Sequence, residues 1–263
     1  MQKIKIVLTN DDGIEAVGIQ TLWEGLKCFA DLAVVAPMKD QSGKGVGVTF
    51  DGPIRAEKET GFEETPAWKV EGTPADCVKL ALGGLLDWKP DLIVSGINHG
   101  SNAGREIFHS GTAGGAIQST LLNVPGIAFS HLSTRTETFP PIKPYLFPII
   151  EQLVRNPLPV GTFLNVNFPE KTIRGVKMAR QGVHFWYERP RKVERSEGDR
   201  EFYLDRIPFV QDEHPESDIS LLKAGWITAV PIHINEMTDH SYLQAHKERF
   251  ATLFKQPLTS SSP

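Results

Sequence analysis

Through the first half of the chain, short β-rich runs alternate with stretches of helical period, and few folds accommodate that order. Residues 4–8 form an apolar β-rich run. Ile19, Leu22, Leu26 and Phe29 follow at spacings of three, four and three, which places them on one helical face, and residues 32–36 form a second β-rich run. Strand, helix, strand is one βαβ unit, the building block of an α/β protein with a parallel sheet.

The alternation continues downstream. Residues 50–57 and 67–71 can form short strands. Thr73-Pro74-Ala75-Asp76 supplies an N-cap hydroxyl, a proline at the first helical position and a carboxylate at the third, which predicts a helix to about residue 86. Residues 92–95 have a buried-strand pattern and lead into a polar loop over 96–109. Ser110-Gly111-Thr112 opens a further helix ending near residue 122, and 126–130 is the next strand. Pro140, Pro141, Pro144 and Pro148 crowd the segment before Ile149, Ile150, Leu153 and Val154, so that helix starts late or is kinked.

The second half changes character. Strands are expected at 162–167, 175–180, 183–187, 202–204 and 226–232, with a charged hairpin or arm over 189–200 and a terminal helix over 242–254. The expected division is an α/β core over 1–135, a part over 136–258 that completes the core and supplies the arm, and a disordered tail over 259–263.

Composition narrows the function. The 263 residues allow one large domain or two modest ones, and a net charge of -4 argues against long nucleic acid as a partner. Small phosphates remain open, because one local site can hold them whatever the global charge. Cys28 and Cys77 lie in apolar periodic segments and read as reduced core thiols. No secretory signal pattern opens the sequence and no apolar run reaches the ~18 residues of a membrane span, so a cytoplasmic protein without a membrane partner is expected.

Asn10-Asp11-Asp12-Gly13 falls where the first strand should end, and ligands of open parallel sheets gather outside the carboxyl ends of strands. Two adjacent carboxylates repel unless a cation lies between them, although Asp-Asp-Gly is equally good turn chemistry. The second strand leads to residues 40–45 and the strand from Leu92 leads to 95–102. If these strands are neighbours, Asp11, Asp12, Ser42 and Asn98 can converge as hard oxygen donors suited to Mg²⁺ or Mn²⁺. Ser110, Gly111 and Thr112 add backbone N–H groups for a phosphate, or merely cap the helix. The eight histidines make no zinc-type cluster, so His99 and His109 read first as loop or packing residues, and neither a dinucleotide fingerprint nor a Walker loop is present.

Residues 9–14, 40–43, 72–78, 95–100 and 110–112, in that order, resemble the motif series of the SurE family, with 164–169 as a weaker sixth landmark. The resemblance implies a Rossmann-like, mostly parallel sheet flanked by helices, with a β-rich C-terminal extension and a projecting hairpin. It implies a hydrolase that removes phosphate from nucleoside 5'-monophosphates, often also from 3'-nucleotides and short polyphosphate, using one divalent metal ion per subunit. By that likeness the metal ligands are Asp11, Asp12, Ser42 and Asn98, and Asp11 and Asp12 carry the catalysis, Asp12 being first candidate for proton transfer. Asn10, Gly43, Asn102, Ser110, Gly111 and Thr112 would hold phosphate and substrate. Homodimers or homotetramers, built partly by exchanged C-terminal elements and the hairpin, are also implied. The chain departs from the family pattern at Val17, where proline is common, at Arg105-Glu106, where acidic residues are frequent, and at His109, where tyrosine is usual. A non-catalytic phosphate sensor and an arm-centred interaction protein are the rival readings; paired carboxylates favour hydrolysis, since an anion binder gains little from two negative charges.

Overall fold

The computed structural model describes residues 3–170, 172–196, 199–209 and 211–252. The chain opens with β1 (Ile4–Thr9), α1 (Val17–Leu26) and β2 (Ala30–Pro37), then β3 (Ala56–Glu59), β4 (Ala67–Val70) and α2 (Pro74–Leu80). β5 (Leu92–His99), α3 (Gly111–Leu121), β6 (Gly126–His131), α4 (Lys143–Arg155) and β7 (Thr162–Phe168) follow. β8 (Val176–Met178), the hairpin strands β9 (Phe185–Ser196) and β10 (Asp199–Phe209), α5 (Asp218–Lys223), β11 (Ile227–His233) and α6 (His240–Thr252) complete it.

Nine strands make one sheet in the order β3-β4-β2-β1-β5-β6-β7-β11-β8. The six strands from β4 to β7 run parallel, while β3 and β11 lie antiparallel to β4 and β7. The fold is the mostly parallel α/β sheet expected, with β9 and β10 forming a separate antiparallel hairpin.

Period-two alternation explains why the central strands are apolar throughout. Ile6 and Leu8 of β1 face the same core as Leu32, Val34, Leu92 and Val94, packed under Ile19, Leu22 and Leu26 of α1 and Leu146 and Ile150 of α4. Val7 points the other way, with Ala33, Val35 and Ile93, onto Cys77 and Val78 of α2. A strand covered by helices on both faces has no polar side to show.

Several expectations need correction. Phe29 lies beyond α1, half exposed, and stacks on Phe147 with ring centroids 4.3 Å apart; the helix ends at Leu26, before the fourth member of its period. Cys28, in the same turn, is exposed rather than a core thiol, whereas Cys77 is buried as expected. β3 begins at Ala56, not near Phe50, because Gly52-Pro53 is turn chemistry and proline cannot donate to a ladder. α2 keeps α-helical geometry only to Leu80 and then makes one π-helical turn through Leu85, where Gly83 and Gly84 favour the helix poorly. β5 continues to His99 through what reads as loop; its pairing with β6 slips after Ser95 and resumes at Asn98 opposite Ser130.

In the C-terminal half, the short strands expected at 183–187 and 202–204 and the charged arm are one long hairpin, paired from Phe185 opposite Phe209 outwards. α4 starts late and contains Pro148, as the prolines require. α5 has no counterpart in the sequence reading, since six residues are too few to display a helical period. The expected tail lies outside the described residues. Among the described residues, no helix is long and apolar enough to cross a membrane.

Candidate active site

The strand order reverses direction between β1 and β5: from β1 the chain steps outward through β2 to β4, then returns to β5 and steps the other way through β6 to β7. Loops leaving two such strands diverge, and the crevice between them is where open α/β sheets bind ligands. Asp11 and Asp12 follow β1, and Asn98 and His99 end β5, so both groups stand at this point. The loop after β2 joins them through Gln41, whose N–H donates to the Asp11 carbonyl at 2.8 Å.

Asp11 is only 3% exposed, and Thr112 Oγ1 donates to its Oδ1. Burial, with the negative charge of Asp12 beside it, overcomes that hydrogen bond and pushes the carboxyl up to about 6. Gly111 makes the arrangement possible: a Cβ there would sit 2.7 Å from Asp11 Cβ, so only glycine lets the start of α3 close on this carboxylate. Asp12 is nearer the surface. Its Oδ2 accepts the His99 backbone N–H at 3.2 Å, and its Oδ1 lies 3.6 Å from His99 Nδ1. The carboxylate in turn holds the imidazole above its ordinary pKa.

Ser42 is exposed, in a turn held by its own N–H donating to Asp40 Oδ1 at 2.6 Å. Asn98 donates from Nδ2 to the Gly100 carbonyl at 2.9 Å, which leaves Oδ1 as the end without a partner among the described residues. Asn10 is fully buried and its Nδ2 donates to the Gly13 carbonyl at 2.8 Å; its amide shapes the Asp-Asp turn. Ser110 is the N-cap of α3, accepting the Ala113 N–H at 3.0 Å, while Thr112 at the second helical position orients Asp11 instead of capping. Gly43 lies exposed in the Ser42 turn with positive φ.

Asn102 sits at the centre of a network that sequence reasoning missed. Its N–H donates to Asn167 Oδ1 at 2.9 Å, its Nδ2 to Ser130 Oγ at 2.8 Å, and its carbonyl accepts from Asn165 Nδ2 at 2.9 Å. Asn165 and Asn167 are buried on β7, where asparagine is unusual, and that anomaly is the signal that could have found them. His99 was assigned to packing, and it does pack edge-on to Phe139 at 4.7 Å, but it also faces Asp12. Glu106, one of the family departures, accepts from Trp186 N–H at 2.6 Å and Arg206 Nη2 at 2.7 Å, tying the hairpin root to the site loop. His109 is exposed and its carbonyl accepts from Gly45 N–H at 3.1 Å.

Among the described residues no three His, Cys, Asp or Glu side chains assemble as a metal cluster. What the loops after β1, β2 and β5 do share is contact: Gln41 N–H meets the Asp11 carbonyl and His99 N–H meets Asp12 Oδ2, so Ser42 and Asn98 each adjoin a residue in contact with the carboxylate pair. A carboxylate raised in pKa by burial and then by the charge of its neighbour, on a chain that also offers an uncommitted amide oxygen at Asn98, fits a hard divalent cation by its chemistry.

Fold and residues together define a doubly wound α/β protein with a carboxylate-centred site at its topological switch point. A family model described as Survival protein SurE matches residues 6–188. The chain is 41% identical over 252 residues to 5'-nucleotidase SurE of Protochlamydia amoebophila, covering 94% of this chain and 97% of that protein. It is 38% identical over 250 residues to 5'-nucleotidase SurE of Christiangramia forsetii, covering 92% and 95%. The crystal structure of the SurE protein from Aquifex aeolicus superposes with a TM-score of 0.80 at 33% identity, covering 94% of this chain and 99% of that one. The chain belongs to the SurE family.

Proposed function

We propose that this protein is a phosphomonoesterase that hydrolyses nucleoside 5'-monophosphates to nucleoside and phosphate, with 3'-nucleotides and short polyphosphate as further substrates. One divalent cation per subunit, Mg²⁺ or Mn²⁺, would be held by Asp11, Asp12, Ser42 and Asn98. The observation that carries the reading is the buried Asp11 carboxylate, adjacent to Asp12, at the start of α3. A phosphate sensor has no use for that negative charge, whereas a cation-assisted hydrolase needs it. When bound, such a cation neutralises phosphate oxygens and acidifies water beside it.

The chain's own groups supply the rest. Thr112 fixes the Asp11 carboxylate, and Asp12, the more accessible of the pair, takes the proton of the attacking water. His99 orients that carboxylate, its backbone N–H donating to Oδ2. The first N–H groups of α3, with Gly43, Asn102 and Ser110, steady the phosphate, and positioning with electrostatic stabilisation suffices for phosphoryl transfer. Burial of Asp11 supports direct attack by water over an aspartyl-phosphate route; stoichiometric phosphoenzyme after acid quench would reverse that choice.

The relatives named above are 5'-nucleotidases, which supports the same substrate class for this chain. A cytoplasmic setting suits the free thiols Cys28 and Cys77, and exposed Phe202, Leu204 and Ile207 on the hairpin support a homodimer or homotetramer. The deciding experiment is phosphate release from AMP with Mn²⁺ by the wild-type protein and by Asp11→Asn and Asp12→Asn. Turnover lost in both variants is expected. Tight cation-dependent AMP binding without turnover in the wild type would establish a sensor instead.

A further inference from the structure

Asp218, at the start of α5, is a fully buried carboxylate far from Asp11 in the chain and outside the proposed chemistry. Its Oδ2 accepts the Gly104 N–H at 2.9 Å, and its Oδ1 accepts the N–H groups of Gly182 and Ile219, each at 2.8 Å. Burial pushes its carboxyl up in pKa, and these donors offset only part of that. A group kept at such a disadvantage is retained for what it holds in place.

Both of its distant partners are glycines in positions where a side chain cannot fit. A Cβ on Gly104 would lie 2.5 Å from the His184 carbonyl, with φ at +62°, and one on Gly182 would lie 2.8 Å from Asp218 Oδ1 itself. The backbone is therefore brought directly onto the carboxylate from two sides. Gly104 is two residues beyond Asn102, and its carbonyl is gripped as well, by Gln181 Nε2 at 3.0 Å. The Asn102–Gly104 segment is thus anchored at one end by Ser130, Asn165 and Asn167 and at the other by Asp218 and Gln181.

We propose that Asp218 is a positioning residue, which clamps Gly104 to the root of the hairpin and so fixes the loop that presents Asn102 to the substrate phosphate. The proposal rests on the phosphohydrolase reading for its substrate but not for its geometry. It acts through Asn102 and not through the cation ligands: Asp11, Asp12 and Ser42 belong to other loops, and Asn98, on the same segment, is held by its own pairing of β5 with β6 opposite Ser130. Losing the clamp weakens phosphate binding selectively, since one of Asn102's two anchors is gone.

The test is a double-mutant cycle with Asp218→Asn, Asn102→Ala and the double variant, read by KM and kcat for AMP with Mn²⁺, by titration with inorganic phosphate, and by Mn²⁺ affinity from electron paramagnetic resonance. Asp218→Asn is expected to raise KM and the phosphate dissociation constant about tenfold, with a smaller change in kcat and the same Mn²⁺ affinity. The double variant should be no weaker than Asn102→Ala alone. Additive effects, an equal loss of Mn²⁺ affinity, or a lower melting temperature with unchanged phosphate affinity would each overturn the proposal. Should Asp218→Asn not fold, Gln181→Ala removes the other hold on Gly104 and must reproduce the pattern more weakly; unchanged phosphate binding in that variant overturns it. Absence of AMP hydrolysis by the wild type would sink the hydrolase reading alone, because the phosphate titration still decides the role of Asp218.

Discussion

Asp11 shows how one residue can be unfavourable for the fold and yet be the one the proposed chemistry requires. Its carboxyl is raised from an ordinary 3.8 to about 6, so the metal-free folded protein binds this proton more tightly than the unfolded chain does. Above pH 6 the ionised group therefore destabilises the fold; the penalty shrinks as pH falls through 6 and is gone below the ordinary value. Asp11→Asn should stabilise the metal-free protein by on the order of 1–3 kcal/mol at pH 8 and by less at pH 5, while lowering turnover by about 100-fold or more. Melting curves of the metal-free proteins between these pH values check the sign: an advantage of the variant that grows towards acid pH contradicts it. Gly111→Ala tests the neighbour. A methyl group 2.7 Å from Asp11 Cβ has no room, so the start of α3 must retreat, with a loss of about 1–3 kcal/mol and of most activity. Full activity in that variant would show that the approach of α3 to Asp11 is not needed.

Among the elements, α1 and α2 form for different reasons. α1 has no side-chain cap and depends on burying Ile19, Leu22 and Leu26. α2 carries its own start signal: Thr73 accepts the Asp76 N–H at 3.2 Å while Asp76 accepts the Thr73 N–H at 3.0 Å. The same two residues hold the loop after β2, since Thr73 Oγ1 donates to the Gly47 carbonyl and Asp76 accepts from Thr49. Thr73→Ala should cost about 1 kcal/mol in urea unfolding and loosen the loop that presents Ser42, whereas Thr73→Ser should behave as wild type. An equal effect of both substitutions would point to the lost methyl group rather than the cap. Burial works against ionisation of Asp76, yet the hydrogen bonds from Thr49 and Thr73 outweigh it and hold its carboxyl below the ordinary value. Its contribution to stability is thus present above the ordinary pKa and disappears as pH falls through the lower folded one.

For the whole molecule, the nine-stranded sheet sets the site and the hairpin stands apart from it. Arg189 pairs with Asp205 in the hairpin register, so residues 189–205 can be replaced by a two-residue turn while Trp186 and Arg206 keep their hold on Glu106. The shortened protein should sediment as a smaller species with turnover largely kept. A full-size assembly would remove the hairpin from the oligomer interface, and lost turnover would show that assembly and catalysis are inseparable. Most of the sheet was readable in advance because strands buried on both faces have continuous apolar runs, and α3 because Ser110 and Gly111 mark its start. The continuation of β5 through Gly96 and Asn98 was not, since polar residues there face the site rather than solvent.

Local chemistry determined what could be read from residues alone: strand and helix periods, the Thr73 cap, the carboxylate pair and the neutral oxygens of Ser42 and Asn98. These depend on neighbours a few positions away, and the chain order states them directly. Only the tertiary structure decided which carboxylate is buried, that Thr112 serves Asp11, and that Asn165, Asn167 and Asp218 converge on the segment from Asn102 to Gly104. Those outcomes depend on desolvation and on contacts between residues more than sixty positions apart, which no local pattern encodes.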